Sequence, residues 1–138
     1  DSTLVMYAGA GIEKYVTPKG VNRLGAMVLG HNTSIKEYVI SDEVTEIDSF
    51  GYPFNYCPNL ETVTISARLQ NLKYDPFDPA RYATPKIKTV YCRSVIPPIV
   101  YFNADYSFDD LTIYVPEESL DSYMSSANWA SLKKYLQG

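Results

Sequence analysis

The residue types that carry nucleophilic catalysis are scarce in this chain of 138 residues. His31 is its only histidine, and Ser34 or Cys57 would have to serve as the nucleophile beside it. Such a nucleophile needs a base held against it and a backbone that exposes it, as in a nucleophile elbow. No nucleophile-elbow or protease motif surrounds any of the three residues. The sequence therefore predicts that the protein is not an enzyme.

The two cysteines, Cys57 and Cys92, are too few for a disulfide-rich framework. A free cysteine behaves as a small core residue, so two buried free thiols are the first prediction. A single bridge between them stays open as the alternative if the protein is exported.

Oxygen-bearing side chains cluster in segment 103–110, NADYSFDD, which holds one asparagine and three aspartates. Oxygen atoms of this kind are the ligands that calcium prefers. The segment has no glycine at the turn and no glutamate at its end, so it departs from the EF-hand pattern and is predicted to be a solvated loop. Asp75 and Asp78, in DPFDP, form a weaker pattern. Since a glycine-rich phosphate loop and metal-type Cys/His spacing are also absent, the prediction is no metal and no cofactor.

The composition is that of a globular chain, with 46% hydrophobic and 20% charged residues. A net charge of −4 and a pI near 4.9 argue against a nucleic-acid partner, which normally requires a basic surface. No apolar run reaches the roughly 20 residues of a transmembrane helix. The chain starts at Asp1 without an apolar leader, so we expect a trimmed piece of a longer protein, with any signal or anchor outside it.

One spacing of apolar residues recurs along the chain. In residues 59–72, NLETVTISARLQNL, the apolar positions follow one another at intervals of 3, 2, 4 and 3. The positions with these intervals are Leu60, Val63, Ile65, Leu69 and Leu72, then Ile35, Tyr38, Ile40, Val44 and Ile47, and then Ile12, Tyr15, Thr17, Val21 and Leu24. Partial copies begin at Ile87 and Leu111. An offset of 23 to 27 residues between copies indicates an internal repeat.

The recurring spacing suits one coil of a solenoid. Val63 and Ile65, and the equivalent pair in each copy, are predicted to point inward from a short strand. Leu69 and Leu72, and their equivalents, are predicted to hold the segment that leads to the next strand against the core. One coil cannot bury its own apolar positions, so neighbours must stack and their strands form a parallel sheet. The predicted fold is a leucine-rich-repeat solenoid with a parallel β-sheet on one face and irregular or short-helical returns. Residues 1–138 form one domain, with repeat units starting near 12, 35, 60 and 87.

Both ends of the solenoid are predicted to differ from its middle, because an uncapped coil exposes its core. The N-terminal TLVMYAGAG is expected to add a strand. The C-terminal cap, 111–138, is expected to end in helix. Leu120, Tyr123, Met124 and Ala127 make the predicted buried face of a first helix, and Asn128 caps a second through Trp129, Leu132 and Leu136. Segment 73–86, KYDPFDPARYATPK, is expected to bulge from the solenoid.

Three stretches resemble BspA-type leucine-rich repeats: KYVTPKGVNRLGAMVL, EYVISDEVTEIDSFGYPFNYCPNLETVTI and KTVYCRSVIPP. The closing LTIYVPEESLDSYMSSANWASLKKYL is similar to the C-terminal unit of such proteins from Bacteroides-like anaerobes. The resemblance covers about residues 4 to 136. It implies a secreted or surface-attached protein that binds macromolecules, with host matrix or cell-surface proteins as partners, and no shared catalytic residues. It also implies a core role for Cys57, three residues before Leu60.

Strand alternation predicts the contact residues. A residue between two inward positions faces outward, so one column should form on the concave face of the sheet. That column is Val16, Val39, Thr64, Tyr91 and Tyr114, flanked by Glu37, Thr62 and Thr89. Tyr101, Phe102 and Tyr106 add aromatic character near its end, and exposed aromatic surface is common at contact sites. The alternative is that β-branched and aromatic residues are there because they favour strands.

Together with what the resemblance implies, these patterns predict a non-catalytic extracellular or cell-surface module that binds a protein partner through the concave face or through segment 73–86. One alternative is a glycan-binding module that uses the tyrosine-rich C-terminal end. Another is a structural block of terminal repeats in a larger surface protein.

Overall fold

The computed structural model describes residues 2–4, 11–25, 32–48, 57–74, 86–101 and 108–138. These residues form mostly parallel β-sheet, with short helical segments near the C-terminus, which fits the α/β class. The strands are β1 (Thr3–Leu4), β2 (Lys14–Val16), β3 (Arg23–Leu24), β4 (Glu37–Val39), β5 (Glu46–Ile47), β6 (Thr62–Ile65), β7 (Asn71–Tyr74), β8 (Thr89–Cys92), β9 (Ile99–Tyr101), β10 (Thr112–Tyr114) and β11 (Leu136–Gln137).

The main sheet contains six strands in the order β11-β10-β8-β6-β4-β2. Every neighbouring pair is parallel, and the spatial order follows the chain. Buried and more exposed residues alternate along each strand, for example in β6, where Val63 and Ile65 are buried and Thr62 and Thr64 are not. This alternation confirms the predicted parallel sheet with one face turned inward.

Between the strands of the main sheet, the described residues form turns and irregular backbone, as predicted, and also short strands, which the prediction of irregular or short-helical returns did not include. A three-stranded sheet has the order β1-β3-β5, and β7 pairs with β9. All of these pairs are parallel. The physical reason is that stacked returns bring their backbones side by side, where each one satisfies the hydrogen-bonding groups of the next.

The core lies between the main sheet and the returns, and it is built from the positions of the recurring spacing. Leu60, Val63, Ile65, Leu69 and Leu72 are all buried, as are the five positions from Ile35 to Ile47. The first copy departs from the prediction, because Ile12 is 43% exposed. Ile12 lies just before β2, which is the edge strand of the main sheet. Among the described residues, no further strand of that sheet covers this side of β2, so Ile12 stays in contact with solvent.

The C-terminal region consists of a 3-10 turn (Glu117–Ser119), helix α1 (Leu120–Ser125), a 3-10 helix (Ala127–Tyr135) and strand β11. Its 3-10 helix buries Trp129, Leu132 and Tyr135. A spacing of three puts those side chains on one face, because a 3-10 helix has three residues per turn.

Several details of the predicted cap are wrong. Met124 and Ala127 are exposed, because α1 is only six residues long and ends before a second turn can bury them. Ser126, not Asn128, precedes the second helical segment. Leu136 belongs to β11, where it pairs with Ile113 and extends the main sheet.

The N-terminal strand exists, although it lies on the return side. Thr3 and Leu4 pair with Arg23 and Leu24, so β1 joins the smaller sheet and not the main one. The rest of TLVMYAGAG lies outside the described residues, as does most of segment 73–86. No helix in the described part of the chain is long and apolar enough to cross a membrane.

Candidate contact surface

The outer face of the main sheet brings the predicted column together. Val16 pairs with Val39, Val39 with Thr64, Thr64 with Tyr91, and Tyr91 with Tyr114. The two ends of this column are the most open, with Val16 48%, Tyr91 43% and Tyr114 37% exposed. Val39 and Thr64 are half-buried. The predicted side chains therefore form one continuous row across five strands.

A second row runs beside the first, two residues earlier in each strand. Glu37, Thr62 and Thr89 lie in register, as predicted for the flanking positions. Lys14 and Thr112, which sequence reasoning missed, extend this row at its two ends. They were predictable, since each lies two residues before a member of the first row and shares its face.

The outer face is almost neutral. Lys14 Nζ lies 3.6 Å from Glu37 Oε1, so the two charges of the second row compensate each other. From β6 to β10, the polar groups of both rows are hydroxyls of threonine and tyrosine side chains. Contact with this face therefore depends on shape, apolar area and neutral hydrogen bonds.

Tyr91 and Tyr114 form a stacked pair at the C-terminal end of the face. Their ring centroids are 5.4 Å apart, and the ring planes differ by 18°. This geometry follows from an in-register parallel ladder, which places equal side chains one above the other. Each ring covers one face of the other, so the pair presents ring edges and hydroxyls outward.

An open depression of about 280 Å³ adjoins this aromatic pair. Its walls are Tyr91, Cys92, Arg93, Tyr114, Val115 and Pro116. That volume falls just below the usual range of pockets for small molecules, which begins at about 300 Å³. The depression therefore suits one inserted side chain or ring better than a larger ligand.

Arg93 stands at the corner where the sheet face meets the turn after β8. Its Nη2 atom lies 2.8 Å from Asp42 Oδ2. The other oxygen of Asp42 accepts a hydrogen bond from the Ala67 amide at 2.9 Å. Sequence reasoning missed Arg93, Val95 and Ile96 as contact residues.

Both cysteines are buried and neither forms a disulfide, as predicted. Burial raises the pKa of the Cys57 thiol to about 11, against a smaller opposing effect of a hydrogen bond from the Asn32 backbone. Burial likewise raises the pKa of Cys92 to about 11, while hydrogen bonds to Tyr123 and the Ser94 backbone lower it. Both groups are therefore thiols at neutral pH, and the reactive thiolate is scarcely populated.

Only some of the other candidates for chemistry lie among the described residues. Ser34 Oγ accepts a hydrogen bond from the Gly11 amide at 3.0 Å. His31, Asp75, Asp78 and most of segment 103–110 lie outside the described residues, together with Phe102 and Tyr106. Asp109 and Asp110 are exposed. Within the described ranges no three His, Cys, Asp or Glu side chains are close enough to hold a metal ion.

No protein-family model matches the chain, and no curated protein matches it.

Proposed function

We propose that this chain is a short BspA-type leucine-rich-repeat solenoid that acts as a non-catalytic, extracellular or cell-surface module for binding another protein. The solenoid part of the proposal is supported by the strand order, which follows the chain, and by pairing between residues 23 to 27 positions apart. It is also supported by the burial of equivalent positions in successive units. The family part rests on the resemblance of the sequence.

The observation that carries the binding proposal is the stacked pair of Tyr91 and Tyr114 at the end of a neutral face. Tyrosine offers a large rigid contact area at low entropic cost, and contact hot spots are enriched in it. The stack holds both rings in place before any partner arrives, which reduces the entropy lost on binding. The adjoining depression gives one partner side chain a place to insert.

Ring orientation favours a protein over a glycan. A sugar stacks on an open aromatic face, whereas Tyr91 and Tyr114 cover one face of each other at 5.4 Å. Ring edges and hydroxyl groups suit the mixed apolar and hydrogen-bonded centre of a protein interface. Because the face is nearly neutral, we expect the affinity to change little with ionic strength.

The test is binding to a panel of purified matrix, serum and cell-surface proteins by the wild type and by a Tyr91→Thr/Tyr114→Thr variant. Threonine is chosen because Thr64 occupies the same row, so the strands keep a residue of high β-propensity. We expect the double variant to lose about 2 kcal/mol or more of binding energy, roughly thirtyfold in Kd. Lys133→Ala/Lys134→Ala, on the exposed side of the 3-10 helix, is the matched control.

The outcomes separate the candidate functions. A partner lost only in the tyrosine variant, with an unchanged circular dichroism melt, supports contact through the sheet face. Capture that both variants retain rejects that face and moves the contact to another surface such as segment 73–86. Binding on a glycan array in place of the protein panel supports the glycan-binding alternative. No ligand in either format supports the structural block of terminal repeats.

A further inference from the structure

The turns that follow the strands of the main sheet lie along one edge and are joined to one another. The Gly20 amide donates to Glu43 Oε2 at 2.7 Å, the Ala67 amide donates to Asp42 Oδ1, and Gln70 Nε2 donates to Ser94 Oγ at 2.9 Å. Equivalent residues of successive turns therefore form a row of their own, next to the sheet face.

Exposed residues in this row change character at the fourth turn. The turns after β4 and β6 expose the charged residues Glu43 and Arg68 at equivalent positions. The turn after β8 exposes Val95 and Ile96 instead, at 58% and 67%. Val95 takes the position of Glu43 and Arg68, and Ile96 takes the position at which Val44 and Leu69 are buried. Single exposed aliphatic residues are ordinary, but two adjacent ones in a turn where the preceding units expose a charge and bury an aliphatic residue indicate a contact site.

The aliphatic turn is held rigidly from below. The Tyr123 hydroxyl donates to the Ser94 carbonyl at 2.7 Å, and Ser94 Oγ donates to the Ile96 carbonyl at 2.6 Å. On the far side, Trp129 Nε1 donates to the Pro98 carbonyl at 2.9 Å. Two consecutive prolines further restrict the backbone. The turn is preorganised, so little conformational entropy is lost when it is buried by a partner.

Cationic groups lie on one side of the aliphatic turn. Arg93 begins it, and Arg68 is the exposed residue of the preceding turn. Asp42 pairs with Arg93 at 2.8 Å, and Glu43 is turned toward Gly20. No carboxylate among the described residues pairs with Arg68. Among the described residues, this corner therefore has one cation without a paired carboxylate, beside two exposed aliphatic side chains.

We propose that Val95 and Ile96 form a second docking point, which inserts into an apolar pocket of a protein partner whose rim carries a carboxylate opposite Arg68. The inference rests on the proposed function, because Arg93 links this turn to the depression beside Tyr91 and Tyr114. The turn adjoins the sheet face at Arg93, so one partner bound on the sheet face could also contact the turn.

A protein partner fits these groups better than a lipid surface does. Membrane-anchoring loops rely on tryptophan and tyrosine at the interface and on clusters of about four to eight basic residues. The turn exposes two aliphatic residues beside one cation without a paired carboxylate among the described residues, in a chain of net charge −4. A second copy of the chain would have to bring carboxylates from another part of its surface to Arg68, because Asp42 and Glu43 at this corner already contact Arg93 and Gly20.

The test uses random peptides displayed on phage as the probe. Peptides are selected on the wild type and then sorted by binding to three variants: Val95→Ser/Ile96→Ser, Arg68→Glu, and Tyr91→Thr/Tyr114→Thr. Ile12→Ser, which alters an aliphatic residue 43% exposed at the other end of the sheet, is the matched control. Unchanged thermal melts establish that each variant folds.

The expected result is a class of peptides that combine aliphatic and acidic residues, bind the Ile12→Ser control normally, and bind the turn variant at least about tenfold more weakly. Arg68→Glu should weaken the same peptides, and more so at low salt. If the tyrosine variant still binds these peptides, the turn binds them without help from the sheet face.

Three results would overturn the proposal. The first is that every selected peptide binds the turn variant as well as it binds the wild type. The second is that the turn mediates binding to vesicles of phosphatidylcholine and phosphatidylserine, which would make the ligand a lipid surface. The third is a concentration-dependent dimer that the turn variant abolishes, which would make the occupant a second copy.

Discussion

The two ends of the main sheet differ in their polar side-chain contacts. At the N-terminal end, charged side chains pair across neighbouring strands and turns. Lys14 meets Glu37 at 3.6 Å, and Lys36 meets Glu13 at 3.2 Å, with all four side chains well exposed to solvent. Exposed pairs of this kind contribute little, typically about 0 to 1 kcal/mol.

At the C-terminal end, buried aromatic side chains donate hydrogen bonds to a turn. The rings of Tyr123 and Trp129 meet edge to face, with centroids 5.0 Å apart, and both side chains are fully buried. Their polar atoms reach the carbonyls of Ser94 and Pro98. A buried network with satisfied partners is more rigid than an exposed ion pair, and it costs more when broken.

The comparison suggests a division of roles along one sheet. At the ion-paired end, the solvent-exposed charges compensate one another. The hydrogen-bonded end shows aromatic and aliphatic groups, and it fixes them from below with a buried network. Rigid support and exposed apolar area coincide, which is the combination that a preorganised contact site requires.

The largest expected effect comes from removing the C-terminal support altogether. Deletion of residues 117–138 removes the partners of Ser94 and Pro98 and the strand that pairs with β10. We expect aggregation, because an unpaired strand edge and the core beneath the helices become exposed. Size-exclusion chromatography and circular dichroism provide the measurement.

Deletion of residues 1–4 is the corresponding change near the N-terminus; it removes β1 of the smaller sheet and the hydrogen bonds of Ser2 to Asn22 and Gly20. We expect that protein to remain monomeric and cooperatively folded. A soluble, cooperatively unfolding protein after deletion of 117–138 would contradict the proposed contrast between the ends.

A smaller effect is expected from Trp129→Ala, which empties a fully buried site. Loss of a buried tryptophan costs about 3–5 kcal/mol of unfolding free energy. Urea denaturation measures this cost. Trp129→Phe keeps most of the packing but leaves the Pro98 carbonyl without its donor, so we expect an intermediate loss of about 1–3 kcal/mol. Equal effects of the two substitutions would show that packing is irrelevant at this site.

Alkaline pH should weaken the fold through the two thiols. Burial raises the pKa of Cys57 and Cys92 from 9.0 to about 11, so the folded state holds these protons more tightly than the unfolded state. Their contribution is fully present below pH 9.0 and is lost as pH rises toward 11. Each thiol contributes up to about 3 kcal/mol by this linkage.

Denaturation curves between neutral pH and pH 11 test this linkage. Burial also raises the pKa of Tyr123, which adds to the alkaline loss at the C-terminal end. Cys57→Ala and Cys92→Ala should each flatten the pH dependence. A dependence unchanged in both variants would assign the alkaline loss to the tyrosines alone.

The smallest expected effect lies at the ion-paired end. Lys14→Ala, Glu37→Ala and the double variant should each change the unfolding free energy by less than about 1 kcal/mol, since both partners are solvent-exposed. A double-mutant cycle from chemical denaturation isolates the pair, and salt should reduce its coupling further. A coupling comparable to the loss in Trp129→Ala would remove the contrast between the two ends.

The main sheet was predictable because its signal is periodic. Alternation of the kind seen at Val63, Thr64 and Ile65 has few structural explanations, and its recurrence fixes which strands are neighbours. The outward column from Val16 to Tyr114 followed from the same geometry. Register between parallel strands therefore came directly from the spacing of apolar residues.

The short return strands and the 3-10 helix were not predictable in the same way. Arg23–Leu24 and Glu46–Ile47 are two-residue strands, too short to show any periodicity, and they exist because their backbones lie against each other. Trp129, Leu132 and Tyr135 have a spacing of three that an α-helical reading overlooks. The role of Arg93 depends on a contact with Asp42, which is 51 residues away and leaves no local pattern.

The uniform spacing of the sheet partners has a consequence for how the chain folds. Lys14 pairs with Glu37, Glu37 with Thr62, and Thr62 with Thr89, so each pairing closes a loop of similar length. Loop-closure entropy rises only with the logarithm of length, so successive strands meet nearly the same entropic barrier. During synthesis from the N-terminus, each new strand emerges when its partner already exists. The turn after β8 receives its hydrogen bonds only once Tyr123 and Trp129 have been synthesised.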